Sequence, residues 1–124
     1  MKTNAYLCSF ASPDLDLSVK RFASQALDLN FYQNIKIYRT TDLSKKLNER
    51  ISNLLKQGGK HRYYGYCVWR HEVVASYLNS LPENSILHYC DIGCHFNKNG
   101  IERLKDYILM TKAYSILPTI LIGL

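Results

Sequence analysis

Ser85-Ile86-Leu87-His88-Tyr89-Cys90-Asp91 is apolar almost throughout and ends in a single acid. A strand covered on both faces reads this way, because both alternating sets of its side chains meet other layers before the chain leaves the sheet. Upstream, Pro82-Glu83-Asn84 makes a turn, and before it Trp69, Val73, Val74, Tyr77, Leu78 and Leu81 recur at helical spacing. Downstream, Asn97-Lys98-Asn99-Gly100 opens a helix marked by Ile101, Leu104, Ile108 and Leu109.

The same alternation of strand and helix fills the first half. Ala5 to Ala11 is a short apolar run stopped by Ser12-Pro13-Asp14. Ser18 is expected to cap a helix carrying Val19, Phe22, Ala23, Ala26 and Leu27, which would leave Lys20, Arg21 and Gln25 outside and close at Asn30. Ile35-Lys36-Ile37-Tyr38-Arg39 alternates as a strand. Thr41 or Asp42 is then expected to cap a helix whose stripe is Leu43, Leu47, Ile51, Leu54 and Leu55, ended by Gly58-Gly59. Strands separated by helices of this length predict an α/β fold: a three-layer, Rossmann-like open sheet, mostly parallel, with helices on both faces. Ligands of such sheets bind beyond the carboxyl ends of the strands, so the Ser9 to Asp14 loop and the Asp91 to Cys94 turn are expected to share a crevice.

At 124 residues, 47% hydrophobic and 21% charged, the chain reads as one globular domain with one modest core. It carries 16 Lys and Arg against 10 Asp and Glu, a net charge of +6. The excess sits in the middle, where Lys36, Arg39, Lys45, Lys46, Arg50, Lys56, Lys60, Arg62 and Arg70 face only Asp42, Glu49 and Glu72. This favours an anionic partner, unless the charges only solubilise a helix face. Cys8, Cys67, Cys90 and Cys94 do not read as a disulfide framework: three lie in apolar runs and no secretory leader precedes them, so a cytoplasmic location is expected, possibly at the inner face of the membrane. The apolar tail from Ala113 to Leu124 is too short to span a bilayer and is interrupted by Pro118. It suits a core or edge strand, or a contact with a second chain or a copy of itself.

Several side chains are candidates for chemistry. Asp91, a carboxylate at a strand's carboxyl end, suits a divalent cation bridging a diphosphate, or else caps the following loop. Arg70 lies near a helix start, where free amides and the dipole already favour an anion; otherwise it pairs with Glu72 or solvent. Tyr64, Tyr66 and Trp69 offer faces for a base or sugar, although Trp69 also begins the buried stripe. His88, Cys90, Cys94 and His95 are zinc-type donors, but without Cys-x2-Cys spacing they read better as small buried side chains. Nothing in the spacing places a base against Cys67 or Cys94 for nucleophilic work. The basic, aromatic stretch Lys56 to Tyr64 admits nucleic acid, without the signature of a nucleic-acid module.

Two runs carry a family resemblance. Tyr63-Tyr64-Gly65-Tyr66-Cys67-Val68-Trp69-Arg70-His71 and Leu87-His88-Tyr89-Cys90-Asp91-Ile92-Gly93-Cys94 resemble motifs of the form Gly-Tyr-Gly-Tyr-x-x-Trp-Lys-Pro and Leu-Tyr-x-Asp-Ala-Gly-Cys. These belong to bacterial glycosyltransferase-like proteins of the nucleotide-diphospho-sugar transferase type, with the GT-A fold. The likeness extends to about Lys112 and implies a nucleotide-diphospho-sugar donor, a divalent Mg or Mn ion and hexosyl transfer. Under it, Asp91 matches the metal and donor acid and Arg70 the lysine near the diphosphate. Gly65, Tyr66 and Trp69 match the wall beside it, and Ser9 with the loop after it matches the place of the base. Arg70-His71 replaces Lys-Pro, keeping the charge and losing a rigid helix start, and Ile92 replaces a small alanine. Such folds continue beyond a chain of this length. The expectation is therefore a donor-binding half without its acceptor half, with a non-catalytic partner-binding or oligomerising module as the alternative and nucleic-acid binding behind both.

Overall fold

A computed structural model describes residues 4–56 and 68–114. Three strands, β1 (Ala5–Phe10), β2 (Asn34–Tyr38) and β3 (Ile86–Tyr89), form one sheet in the order β2-β1-β3, and both pairings are parallel. Leu7 lies opposite Ile35 on one side and His88 on the other. The helices are α1 (Asp16–Asp28), α2 (Lys45–Lys56), α3 (Arg70–Ser80) and α4 (Ile101–Tyr114). This is the open, parallel α/β sheet expected from the alternation of elements.

Side-chain alternation along β1 divides the core in two. Ala5 and Leu7, with Ala11 just beyond the strand, pack with Phe22 and Ala26 of α1 and Leu104 and Ile108 of α4. Cys8 and Phe10 pack with Leu47 and Ile51 of α2 and with Trp69, Val73 and Tyr77 beside and along α3. The sheet is thus covered on both faces, which is why β1 tolerates almost no exposed position.

Several boundaries differ from expectation for local reasons. Ser18 does not cap α1. The Ser12-Pro13-Asp14 turn delivers the chain into the helix earlier, through Leu15 N–H to Ser12 O at 3.1 Å and Val19 N–H to Leu15 O at 3.0 Å. Asn30 does end it, with φ of 48°, a left-handed value that asparagine tolerates. Thr41 and Asp42 do not cap α2: Thr40–Asp42 is a short 3-10 turn of its own, in which Asp42 Oδ2 accepts from Arg39 N–H at 2.8 Å. The cap is Ser44, whose Oγ accepts from Leu47 N–H at 3.2 Å. Leu78 of α3 and Leu109 of α4 fit their apolar stripes by spacing yet are 50% and 62% exposed, because each sits at the edge of its stripe beyond the reach of the sheet. The expected end of α2 at Gly58-Gly59 and the tail from residue 115 onward lie outside the described residues.

Phe22 is fully buried between α1 and the sheet, edge-on to Phe96 at 5.0 Å. Phe22→Ala is expected to lower the unfolding free energy by about 3–5 kcal/mol. Leu17→Ala, at a side chain 82% exposed, is expected to stay within about 0.5 kcal/mol of wild type. Urea titrations followed by circular dichroism check both.

Candidate functional site

The carboxyl end of β3 and the start of α3 meet at one cluster. Trp69, just before α3, is only 6% exposed and stacks on Phe10 at the end of β1, with ring centroids 4.3 Å apart and planes 25° apart. That stack fixes where α3 begins. Arg70, its first residue, is thereby set with its guanidinium carbon 5.6 Å from the Trp69 ring and 5.5 Å from the Tyr89 ring. Cations are attracted to such faces. Its Nη2 reaches Asp91 Oδ1 at 3.0 Å, and the Tyr89 hydroxyl donates to the same oxygen at 3.3 Å. Burial raises the Tyr89 phenol well above its ordinary range, and Asp91 raises it further. The hydroxyl therefore stays a donor.

Arg70 and Asp91 side chains are 46% and 62% exposed, so their ion pair contributes about 0–1 kcal/mol and is readily exchanged. Glu72, two residues from Arg70, does not take it: its carboxylate accepts from Ser44 N–H at 2.8 Å and Ser44 Oγ–H at 2.6 Å, tying α3 to the cap of α2. Nor does Asp91 act only as a turn cap, although its carbonyl accepts from Cys94 N–H at 2.9 Å.

The structure places the other predicted residues variously. Ser9 is fully buried and, by alternation, shares the α1 face of β1, opposite the face on which Phe10 meets Trp69. It is not brought to Arg70 and Asp91, and its Oγ has no hydrogen-bond partner among the described residues. The loop after it does lie at the sheet's carboxyl end, held by Arg39 through Ser12 O at 3.3 Å and Asp16 Oδ1 at 2.6 Å. Gly65 and Tyr66, with Tyr64 and Cys67, lie outside the described residues. Ile92, in place of the family's alanine, drops into the α1/α4 core, and a side chain at Gly93 would meet open space.

Arg21 and Gln25 do not simply face water. Arg21 donates to Ile92 O and Cys94 O, each at 2.7 Å, and Gln25 Oε1 accepts from Phe96 N–H at 3.1 Å. Together they clamp the turn that carries Asp91 onto α1. Their polar spacing on α1 could not reveal this, since the partners are backbone atoms some seventy residues away. Tyr89 was equally hidden as a site residue, its aromatic character being accounted for by the strand.

To a Mg or Mn ion the site would bring one carboxylate, Asp91, whose Oδ1 is shared by a guanidinium and a hydroxyl; among the described residues no group of three or more His, Cys, Asp or Glu side chains is gathered to hold a metal. Zinc-type donors are not gathered either: His88 Nε2 and Cys90 Sγ lie 3.2 Å apart, without a third such donor grouped with them among the described residues. Comparisons with protein-family models, with curated proteins and with solved structures gave no match.

Burial lowers the His88 pKa from 6.5 to about 4. The unfolded chain then binds this proton at a higher pH than the folded one, so stability is full above pH 6.5, falls as pH drops towards 4 and levels off below that. The expected loss is about 1–3 kcal/mol, and His88→Gln should flatten it. Urea midpoints for both proteins at pH 7 and pH 4.5 measure the difference.

Proposed function

We propose that the chain is a nucleotide-sugar-binding domain of the glycosyltransferase-like type, in which Arg70 receives the donor's diphosphate. The observation that carries this reading is the exposed Arg70–Asp91 pair set on the Trp69 and Tyr89 rings at the carboxyl edge of a parallel sheet. Parallel α/β sheets bind ligands beyond that edge. A guanidinium offers a phosphate two parallel N–H bonds, and the start of α3 adds a favourable helix dipole. The resemblance of the Tyr63 to His71 and Leu87 to Cys94 runs to sugar-nucleotide motifs points the same way.

On this reading Asp91 is the partner that holds Arg70 in place until a phosphate displaces it. The base lies along the loop that follows β1 rather than on Ser9 itself, whose burial removes it from contact. Among the described residues no helix is long and apolar enough to cross a membrane. A sugar nucleotide as ligand, together with unpaired Cys8, Cys90 and Cys94, suits the cytoplasm.

Isothermal calorimetry with UDP, GDP and UDP-hexoses, each with and without manganese, tests the proposal. Binding is expected without added metal. Arg70→Ala should weaken it about tenfold or more, since a hydrogen bond to a charged group is lost. Asp91→Asn should preserve or strengthen it, because the competing carboxylate is gone. Absence of binding to every one of these ligands at millimolar concentration would remove the reading.

A further inference from the structure

We propose that Cys94 and Cys90 form a two-thiol oxidation site, in which Cys94 reacts with a hydroperoxide and Cys90 converts the product to an intrachain disulfide. This stands independently of nucleotide binding. The two cysteines stand four residues apart, on either side of the turn that Cys94 N–H closes on Asp91 O at 2.9 Å. Cys94 is exposed and Cys90 is buried, so an oxidant from solvent meets Cys94 first. Both line a cavity of about 290 Å³ walled by Tyr32, Phe96 and Leu104. A small peroxide fits in it.

The surroundings divide the labour between the two thiols. The neighbouring Cys90 thiol brings the Cys94 pKa from 9.0 down to about 7, with the Asp91 backbone and Arg21 helping, and burial and the Asp91 carboxylate opposing. Cys90 is pushed up, by its Cys94 neighbour and by burial, and burial alone pushes Cys8 up to about 12. Thiolate character, and with it nucleophilicity, therefore concentrates on Cys94. Cys90 has a second neighbour in His88, whose Nε2 lies 3.2 Å from Sγ and whose Nδ1 is bonded to the Tyr32 hydroxyl at 2.7 Å. That ring, neutral by burial, orients the resolving thiol.

The chemistry balances. The Cys94 thiolate attacks the outer oxygen of the hydroperoxide, the O–O bond breaks, and the departing alkoxide or hydroxide takes a proton, leaving a sulfenic acid. Cys90 sulfur then attacks Cys94 sulfur, the S–O bond breaks, and hydroxide leaves as water with the proton of Cys90. Two thiols are oxidised to one disulfide while the peroxide is reduced to an alcohol or water plus water. Asp91 lies inside the loop so closed, which carries the oxidation state to the carboxylate facing Arg70.

The test uses the reduced full chain, a few equivalents of hydrogen peroxide, alkylation and peptide mass spectrometry. A Cys90–Cys94 disulfide is expected, reversed by dithiothreitol. In Cys90→Ser, Cys94 should instead persist as a sulfenic acid trapped by dimedone, and without peroxide Cys94 should alkylate at neutral pH about ten times faster than Cys8 or more. Cys94 left fully alkylatable after peroxide, or joined to Cys8 or Cys67, would overturn the proposal. So would the absence of a dimedone adduct at Cys94 in Cys90→Ser. Since Cys94 is exposed, Cys94→Ser should keep the wild-type circular dichroism spectrum and leave Cys90 as a thiol; a Cys90 oxidised there as in wild type also counts against it.

Discussion

Everything in this fold is arranged around the double coverage of β1. Its two edges are paired in parallel with β2 and β3, and its two faces are sealed by different helices. Parallel neighbours need crossover connections, so each strand must hand the chain to a helix at its carboxyl end and receive it back at the other. The loops that carry polar chemistry therefore collect at one edge. Ser12 to Asp16, Arg39 and the Asp91 to Cys94 turn are gathered there by the path of the chain, independently of any attraction between them.

That edge is made rigid from both sides of the sheet. On the α3 side, the Phe10–Trp69 stack anchors the start of the helix and hence Arg70. On the α1 side, Arg21 and Gln25 take hold of backbone atoms at residues 92, 94 and 96 and hold the turn after β3. Asp91 sits between these two anchors, facing Arg70, with Cys94 on the far side of its turn. The anionic-ligand seat and the thiol pair thus share one structural element and use different atoms of it.

Much of this was legible in sequence. The apolar runs at Ala5 to Ala11 and Ser85 to Asp91 became the central strand and its neighbour, and the helical stripes predicted Phe22, Leu47, Ile51, Val73, Tyr77, Leu104 and Ile108 as core. What escaped was set by partners distant along the chain. Arg70 had a nearer acid in Glu72, but Glu72 is drawn to Ser44, and Asp91 arrives only through the β1–β3 pairing. Ser9 was placed beside the base by the family resemblance alone, whereas the α1 layer closes over it. The caps of α1 and α2 were misplaced by a few residues because turns at Ser12–Leu15 and Thr40–Asp42 use the same polar residue types as caps do.

The central claim is that the guanidinium on the Trp69 and Tyr89 rings is an anion seat. Nitrogen-15 NMR of the full chain, following the Arg70 Nε–H and Trp69 indole signals during titration with UDP, addresses it most directly. Saturable shifts of both signals, with the Asp91 amide moving in step as the ion pair opens, are predicted. Signals that stay fixed at Arg70 and Trp69 while UDP shifts resonances elsewhere, or shifts none, would contradict the account.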